Sequence, residues 1–553
     1  PLRPQPPTWL AYPDTDVSLA DVRARLALVS IRTGKLDRAA LELDAFRRWH
    51  PDAAGRFGGQ DGPYTAALEK LLASAKEWPV QPPDRNWPTF AGAQSRSPNA
   101  APVGPLAKTA WATTIALSAR ENPRPRVAGI PTNHPPDVQV RESERALSCF
   151  PVVVDGLLLY ADATTVSAVS LATGKPAITP DGTLFRVEAT AGDTNAAMLR
   201  SRYVAAGVPR FSLTVIDGIA YARVGQVTTA RIQAGAPSPV GERLLGIDLK
   251  RDGLLMFQAK QAKPDGEGWS FDGTPVGDGR RVYVAMRHGD VTPHVYVACF
   301  NVATGNPLWR TSIGSADTPA GGNGDEITHN LLSLVGDRIY FNTNLGLVAS
   351  LDVEDGRIQW LHRYERRADM STAAGAGSPL HFDRDPSPCL VHEGLVIVAP
   401  SDTPLVFALD ADTGHLIWSN DKLADALHLL GVAGDSLIVT GNRFCSLDVR
   451  TGRVRFAWPE SEHAGIRGMG RGALAGNEVF WPTRKDIYFF DARTGARTRP
   501  PIDLSSVSES GANLVIANGY LIVAGREQLT AAGPSPAQPS DKTNQPPKVA
   551  KSN

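Results

Sequence analysis

Two short stretches gather side chains able to ligate a metal. His381, Asp383 and Asp385 alternate through His381-Phe382-Asp383-Arg384-Asp385, a spacing that on a strand would put an imidazole and two carboxylates on one face. Asp325, Glu326 and His329 follow the glycines Gly321-Gly322. A solvated turn or a local salt bridge with arginine accounts for both groups, and we adopt that account. A third stretch, Gly465-Ile466-Arg467-Gly468-Met469-Gly470-Arg471-Gly472, could cradle an anion through backbone amides and guanidinium groups. Read as a flexible connector, it needs no ligand. Arg363, Arg366 and Arg367 beside Glu365 read as a surface charge cluster. The four cysteines, Cys149, Cys299, Cys389 and Cys445, are too scattered to suggest a disulfide framework and read as small buried apolar side chains. No Gly-x-Ser-x-Gly elbow, His-Glu-x-x-His pair or phosphate-loop signature occurs. No catalytic, cofactor-binding or metal-binding residue is therefore assigned, and no cofactor is expected.

The composition narrows the classes further. Lys and Arg number 57 and Asp and Glu number 57, so the chain carries no basic footprint for nucleic acid or an anionic membrane. No apolar run approaches the roughly 18–20 residues of a membrane helix. At 553 residues the chain suits one large repeat domain with a smaller attachment. It begins with Pro1 rather than Met, the expectation for a processed product or the distal part of a longer precursor.

Residues 1–16, with Pro1, Pro4, Pro6, Pro7 and Pro13, read as an extended linker. Residues 17–78 turn helical: Leu19, Val22, Leu26 and Val29 recur at helical spacing, Gly34 breaks the run, and Leu36, Ala39, Ala40, Leu43 and Phe46 resume it before Pro51. Gly34, Leu36, Ala39 and Pro51 resemble the spacing of a tetratricopeptide repeat, with Tyr64 to Ala75 as a third helix. A plain helical hairpin is the alternative. Such a unit must stack on something to bury its apolar face. Residues 79–110 read as a Pro-rich hinge and lead-in.

Residues 111–531 read as eight units. Each opens on a strand, a tight turn and a second strand, as in Val152-Val153-Val154-Asp155-Gly156-Leu157-Leu158-Leu159-Tyr160. The first turns fall near residues 155, 217, 278, 336, 393, 434, 476 and 518, a spacing of about 40 to about 60 residues, which suits four-stranded propeller blades. Each unit closes on a phrase such as Ala408-Leu409-Asp410-Ala411-Asp412-Thr413-Gly414-His415-Leu416-Ile417-Trp418. The last unit lacks a fourth strand, and the isolated strand 111–115 is free to supply it and so remove an exposed edge. Residues 532–553 have the composition of a disordered tail.

The Asp-x-x-Thr-Gly-x-x-x-Trp phrase, and the lead-in Trp87-Pro88-Thr89-Phe90-Ala91-Gly92, resemble the pyrroloquinoline-quinone (PQQ)-like propeller repeat over about residues 87–530. That family includes quinoprotein alcohol dehydrogenases, the lipoprotein of the outer-membrane β-barrel assembly machinery and many uncharacterised extracytoplasmic proteins. The resemblance implies a mainly β protein, an eight-bladed propeller, in an extracytoplasmic compartment (the periplasm or cell envelope of a bacterium). Trp309, Trp360 and Trp418 are expected to pack between blades rather than against a cofactor. A quinone dehydrogenase of this family would carry adjacent cysteines and an acidic set for Ca²⁺. No Cys-Cys pair, and no Cys-x-x-Cys-His haem attachment, is present. The expectation is a non-catalytic protein-binding or assembly platform, engaging another protein through a propeller face or the helical segment. The rival readings are an oxidoreductase or small-molecule enzyme with a degenerate quinone-like site in the channel, and the sensor domain of a larger receptor.

Overall fold

The computed structural model describes residues 18–32, 36–57, 60–75, 85–98, 100–104, 106–115, 147–162, 165–187, 210–224, 243–259, 269–288, 294–316, 329–366, 387–423, 425–460, 465–505, 511–526 and 528–534. The chain divides into two compact units, Pro1–Pro83 and Asp84–Asn553.

In the first unit, helices α1 (Leu19–Arg32), α2 (Leu36–Trp49) and α3 (Tyr64–Ala75) enclose a small core of Ala24, Ala27, Ile31, Ala39, Leu43, Phe46, Tyr64 and Leu68. A two-stranded hairpin, Ala54–Phe57 with Gln60–Pro63, separates α2 from α3, where the sequence pattern offered no strand. The buried face of α1 also differs from the expected one. Leu19, Val22, Leu26 and Val29 are exposed, whereas Ala24 and Ala27 are fully buried. Small side chains let the helices approach closely, so contact here follows the alanine ridge and not the larger aliphatic one.

The second unit is mainly β and forms eight blades of a propeller. Blades 1 to 8 open on strands Val152–Val154, Phe211–Ile216, Trp269–Phe271, Ser333–Val335, Leu390–His392, Ala426–Ala433, Ala473–Ala475 and Asn513–Ala517. The first hairpins turn where Asp-Gly or Asn-Gly pairs allow positive φ: Asp155 at 51°, Asp217 at 52° and Asn518 at 51°, each followed by a glycine. Blade 8 takes its fourth strand from the start of the unit. Leu106–Thr114 pairs antiparallel with Gln528–Pro534, giving the order 106–114, 528–534, 520–524, 513–517.

The repeated phrase docks each blade on the next. Asp410 Oδ1 accepts from the Thr413 amide and hydroxyl, both at 2.8 Å, and Asp448 and Asp491 do the same for Thr451 and Thr494. This closes the turn over a glycine with positive φ. The indole of the preceding blade then lies flat on that glycine: Trp309 on Gly356, Trp360 on Gly414, Trp418 on Gly452. A Cβ at Gly414 would sit 2.6 Å from the Trp360 ring, so only glycine fits. Each indole N–H donates to a carbonyl at the same turn, Trp360 to Ala411 and Trp418 to Val449, both at 2.9 Å. Phe456 replaces the indole over Gly495. Trp111 of the closing strand repeats the arrangement on Gly174 of blade 1 and donates to Leu171 O at 2.6 Å.

The junction of blades 4 and 5 carries a histidine. The His362 Nδ1–H donates to Gly414 O at 3.1 Å, beside Trp360. Burial holds the His362 imidazole below its usual 6.5, with the Gly414 carbonyl opposing. The unfolded chain therefore takes up the proton first as pH falls, and stability present above about pH 6.5 is lost below it. The urea midpoint is expected to drop between pH 7 and pH 5, and His362→Gln to flatten that slope. An unchanged slope in the variant would assign the dependence to other titrating groups.

Candidate functional site

The residues following the first unit form a belt across the propeller channel. Trp87 pairs with Val153 of blade 1, and the Val215 amide of blade 2 donates to Pro88 O at 2.7 Å. Gln94 exchanges two bonds with Gly277 of blade 3 at 2.8 and 3.0 Å. The Leu334 amide of blade 4 donates to Gln94 O, and the Val391 amide of blade 5 to Ser95 O. Pro98 packs against Gly431 of blade 6, the Gly476 amide of blade 7 donates to Ala100 O, and the Asn518 amide of blade 8 donates to Arg85 O. The belt thus touches all eight blades. Its centre is the buried Arg96, whose Nε and Nη2 donate to Leu332 O at 3.0 and 2.7 Å, while Nη1 donates to Phe90 O and Thr89 Oγ1 at 2.8 and 2.9 Å.

Against the belt lies a small cavity, open at its mouth, with a volume of about 10 Å³, room for about one water. Phe90, Arg96, Phe150, His329, His428 and Arg471 form much of its lining. Phe90 meets Phe150 edge-on at 5.0 Å, and Phe150 stacks on His329 at 5.6 Å. Arg471 donates its amide to Asn513 Oδ1 at 2.9 Å and Nη2 to Leu429 O at 3.0 Å, and its guanidinium lies 4.9 Å over the Phe90 ring. Burial lowers Arg96 to about 9, with a contribution from Arg471, and lowers Arg471 to about 10, so both stay cationic at neutral pH.

These positions revise several sequence expectations. His329 is buried in this cavity rather than on a solvated turn; Asp325 and Glu326 lie outside the described residues. The Gly465–Gly472 run is exposed at Gly465 and Arg467 and packed from Gly468 onward. The amides of Gly468, Met469 and Arg471 donate to Asn442 O, Pro482 O and Asn513 Oδ1, so they form no anion cradle, but the Arg471 side chain turns into the channel. The His381–Asp385 stretch lies outside the described residues, as does Arg367. Arg366 is no mere surface charge: its Nε donates to the buried Asp402 at 3.1 Å, alongside the Tyr364 hydroxyl at 2.8 Å. Burial holds the Asp402 carboxyl above its usual range despite both donors. Among the described residues, no cluster of three His, Cys, Asp or Glu side chains could hold a metal. All four cysteines are buried, and burial pushes the Cys149 and Cys299 thiols up to about 12, which suits packing rather than nucleophilic chemistry.

Ser212 Oγ and His329 Nε2 lie 2.9 Å apart, the separation of a nucleophile and its base. Ser212 is not among the cavity-lining residues, however, and its hydroxyl is also engaged with Thr274 at 3.1 Å. The pair therefore ties the inner strand of blade 2 to the segment leading into blade 4, with Thr274 of blade 3 between them.

The architecture defines the class: an eight-bladed PQQ-like propeller whose channel is crossed by its own lead-in segment. A family profile described as "Outer membrane protein assembly factor BamB" matches residues 150–362 and 346–537, and the chain belongs to this PQQ-repeat family. No curated protein matches the chain. Among solved structures, it is similar to the quinohemoprotein alcohol dehydrogenase ADHIIG of Pseudomonas putida HK5, at 12% identity over 85% of this chain and 84% of that one, with a TM-score of 0.51. It is similar as well to the quinohemoprotein alcohol dehydrogenase of Comamonas testosteroni, at 13% identity over 82% and 81%, with a TM-score of 0.50. At these identities the likeness is one of fold. The donor set does not fit a calcium-bound quinone. The described cavity lining is cationic and aromatic with no carboxylate, and no two cysteines are adjacent.

Proposed function

We propose that the protein is a non-catalytic protein-binding or assembly platform of an extracytoplasmic compartment, contacting its partner through the helical unit. The observation that carries this reading is the face of α1. Val22 and Leu26 are 41% and 39% exposed, in line with Leu19, and Arg25 and Arg32 are exposed on the same helix. Aliphatic side chains at helical spacing on a surface mark a helix that expects a further layer. The flanking Arg25 favours an apolar ridge edged with a carboxylate. Membership of the assembly-factor family supports the reading, as does a propeller whose channel is occupied by its own chain. No helix among the described residues is long and apolar enough to cross a membrane.

A photocrosslinking residue at Val22 tests this. One adduct of defined mass is expected in the native envelope, lost when Leu26→Asp is added and absent when the crosslinker replaces Leu308 of blade 3. Equal, diffuse labelling from both positions would contradict a contact on α1.

A further inference from the structure

Helix α1 is apolar on two faces. Ala24, Ala27 and Ile31 pack in the core with α2 and α3, while Leu19, Val22, Leu26 and Val29 lie about 150° round the helix and are exposed. The outer four recur at spacings of three, four and three, the a and d positions of two heptads. Polar residues flank that stripe on α1, so it has the narrow width of a helix–helix seam. A strand, which presents every second residue, cannot follow it. The edges are cationic: Arg23 and Arg25 stand at e and g. The Arg23 guanidinium lies 3.9 Å over the Trp49 ring, which holds it along the seam, and Arg25 is exposed. Asp21, the only carboxylate on α1, accepts from the Tyr64 hydroxyl at 2.5 Å, and Glu42 of α2 accepts from the Ser30 hydroxyl at 2.8 Å. A second copy would therefore bring arginine edges to arginine edges with no carboxylate on α1 turned to meet them.

We propose that the element seated on α1 is a single amphipathic helix of another protein, with aliphatic side chains at a and d and Asp or Glu on the edges that face Arg23 and Arg25. It completes a two-heptad seam about 15 Å long, the aliphatic knobs giving affinity and the charged edges setting partner choice. The inference rests on the platform reading and narrows the partner to a helix of stated pattern and charge.

Two labelled synthetic peptides with leucine at every a and d, one with glutamate and one with lysine at e and g, test this against the full chain by fluorescence anisotropy. Like charges on its own edges keep each peptide from pairing with itself. The glutamate peptide is expected to bind about tenfold more tightly than the lysine peptide at low ionic strength, a preference that high salt removes. Arg25→Glu should reverse the order of the two, and Leu26→Asp, at an exposed position, should abolish binding of both. No binding of the glutamate peptide, equal affinity for the two, or an unchanged order in Arg25→Glu would overturn the proposal. Sedimentation of the full chain covers a second copy: a dimer that Leu26→Asp dissociates would overturn it too. An envelope adduct at Val22 whose crosslinked segment lacks an acidic-edged heptad would sink this inference and leave the platform reading standing. Peptide binding with the predicted preference, but no envelope adduct, would support the seam and sink the platform reading alone.

Discussion

Trp111→Ala is expected to destabilise the propeller by about 3–5 kcal/mol, the cost of truncating a buried indole. Trp111 does for the junction of blades 8 and 1 what Trp360 and Trp418 do elsewhere: it lies on the Gly174 turn and donates to Leu171 O. This junction differs from the others because the strand that carries Trp111 comes from the opposite end of the chain, pairing Leu106–Thr114 with Gln528–Pro534. Loosening it opens the ring, whereas loosening Trp418 leaves the ring closed. An open ring exposes two sheet edges. Trp111→Ala should therefore aggregate during refolding, while Trp418→Ala, at a similar loss of stability, should refold reversibly. Equal aggregation of the two variants at matched stability would show that the closing junction has no special role.

The second large effect is expected at Arg96. Its guanidinium joins the belt to blade 4 through Leu332 O and holds the belt's own curvature through Phe90 O and Thr89 Oγ1. Arg96→Ala strands the Leu332 and Phe90 carbonyls without donors, at about 1–3 kcal/mol for each one left buried, while Thr89 Oγ1 keeps the Thr214 hydroxyl, so a loss of about 3–5 kcal/mol is expected. Lysine should not rescue it, because an ammonium cannot reach three acceptors from one planar fork. Urea unfolding of the alanine and lysine variants measures this directly. A lysine variant with the wild-type midpoint would mean that charge, not fork geometry, holds the belt.

The repeats were legible because their signals are local. A positive-φ turn demands Asp-Gly or Asn-Gly, as at Asp155 and Asn518, and the inter-blade indole demands a glycine beneath it, as at Gly356, Gly414 and Gly452. The belt was not legible, because its bonds to blades 4, 5, 7 and 8 run through the carbonyls of Gln94, Ser95, Ala100 and Arg85, and backbone bonds leave no side-chain pattern. Arg96 offered one signal, a cation with no acidic neighbour in an otherwise small and polar stretch. Arg471 was noticed for its glycines, but the amides that suggested an anion cradle are spent on the protein and only the side chain faces the cavity. On α1 the periodicity of Leu19, Val22 and Leu26 pointed to a buried face, yet the alanines make the contact and the aliphatic ridge is left outside. Hydrophobic spacing identifies a helix but does not say which neighbour covers it.

The most direct test of the platform reading is the mass of the particle released from the native envelope under mild extraction. The account predicts a complex heavier than the 59.0 kDa chain, with a second polypeptide in fixed ratio, and a return to the single chain with Val22→Asp and Leu26→Asp. A wild-type protein released as the single chain alone, at the same mass as the variant, would contradict it.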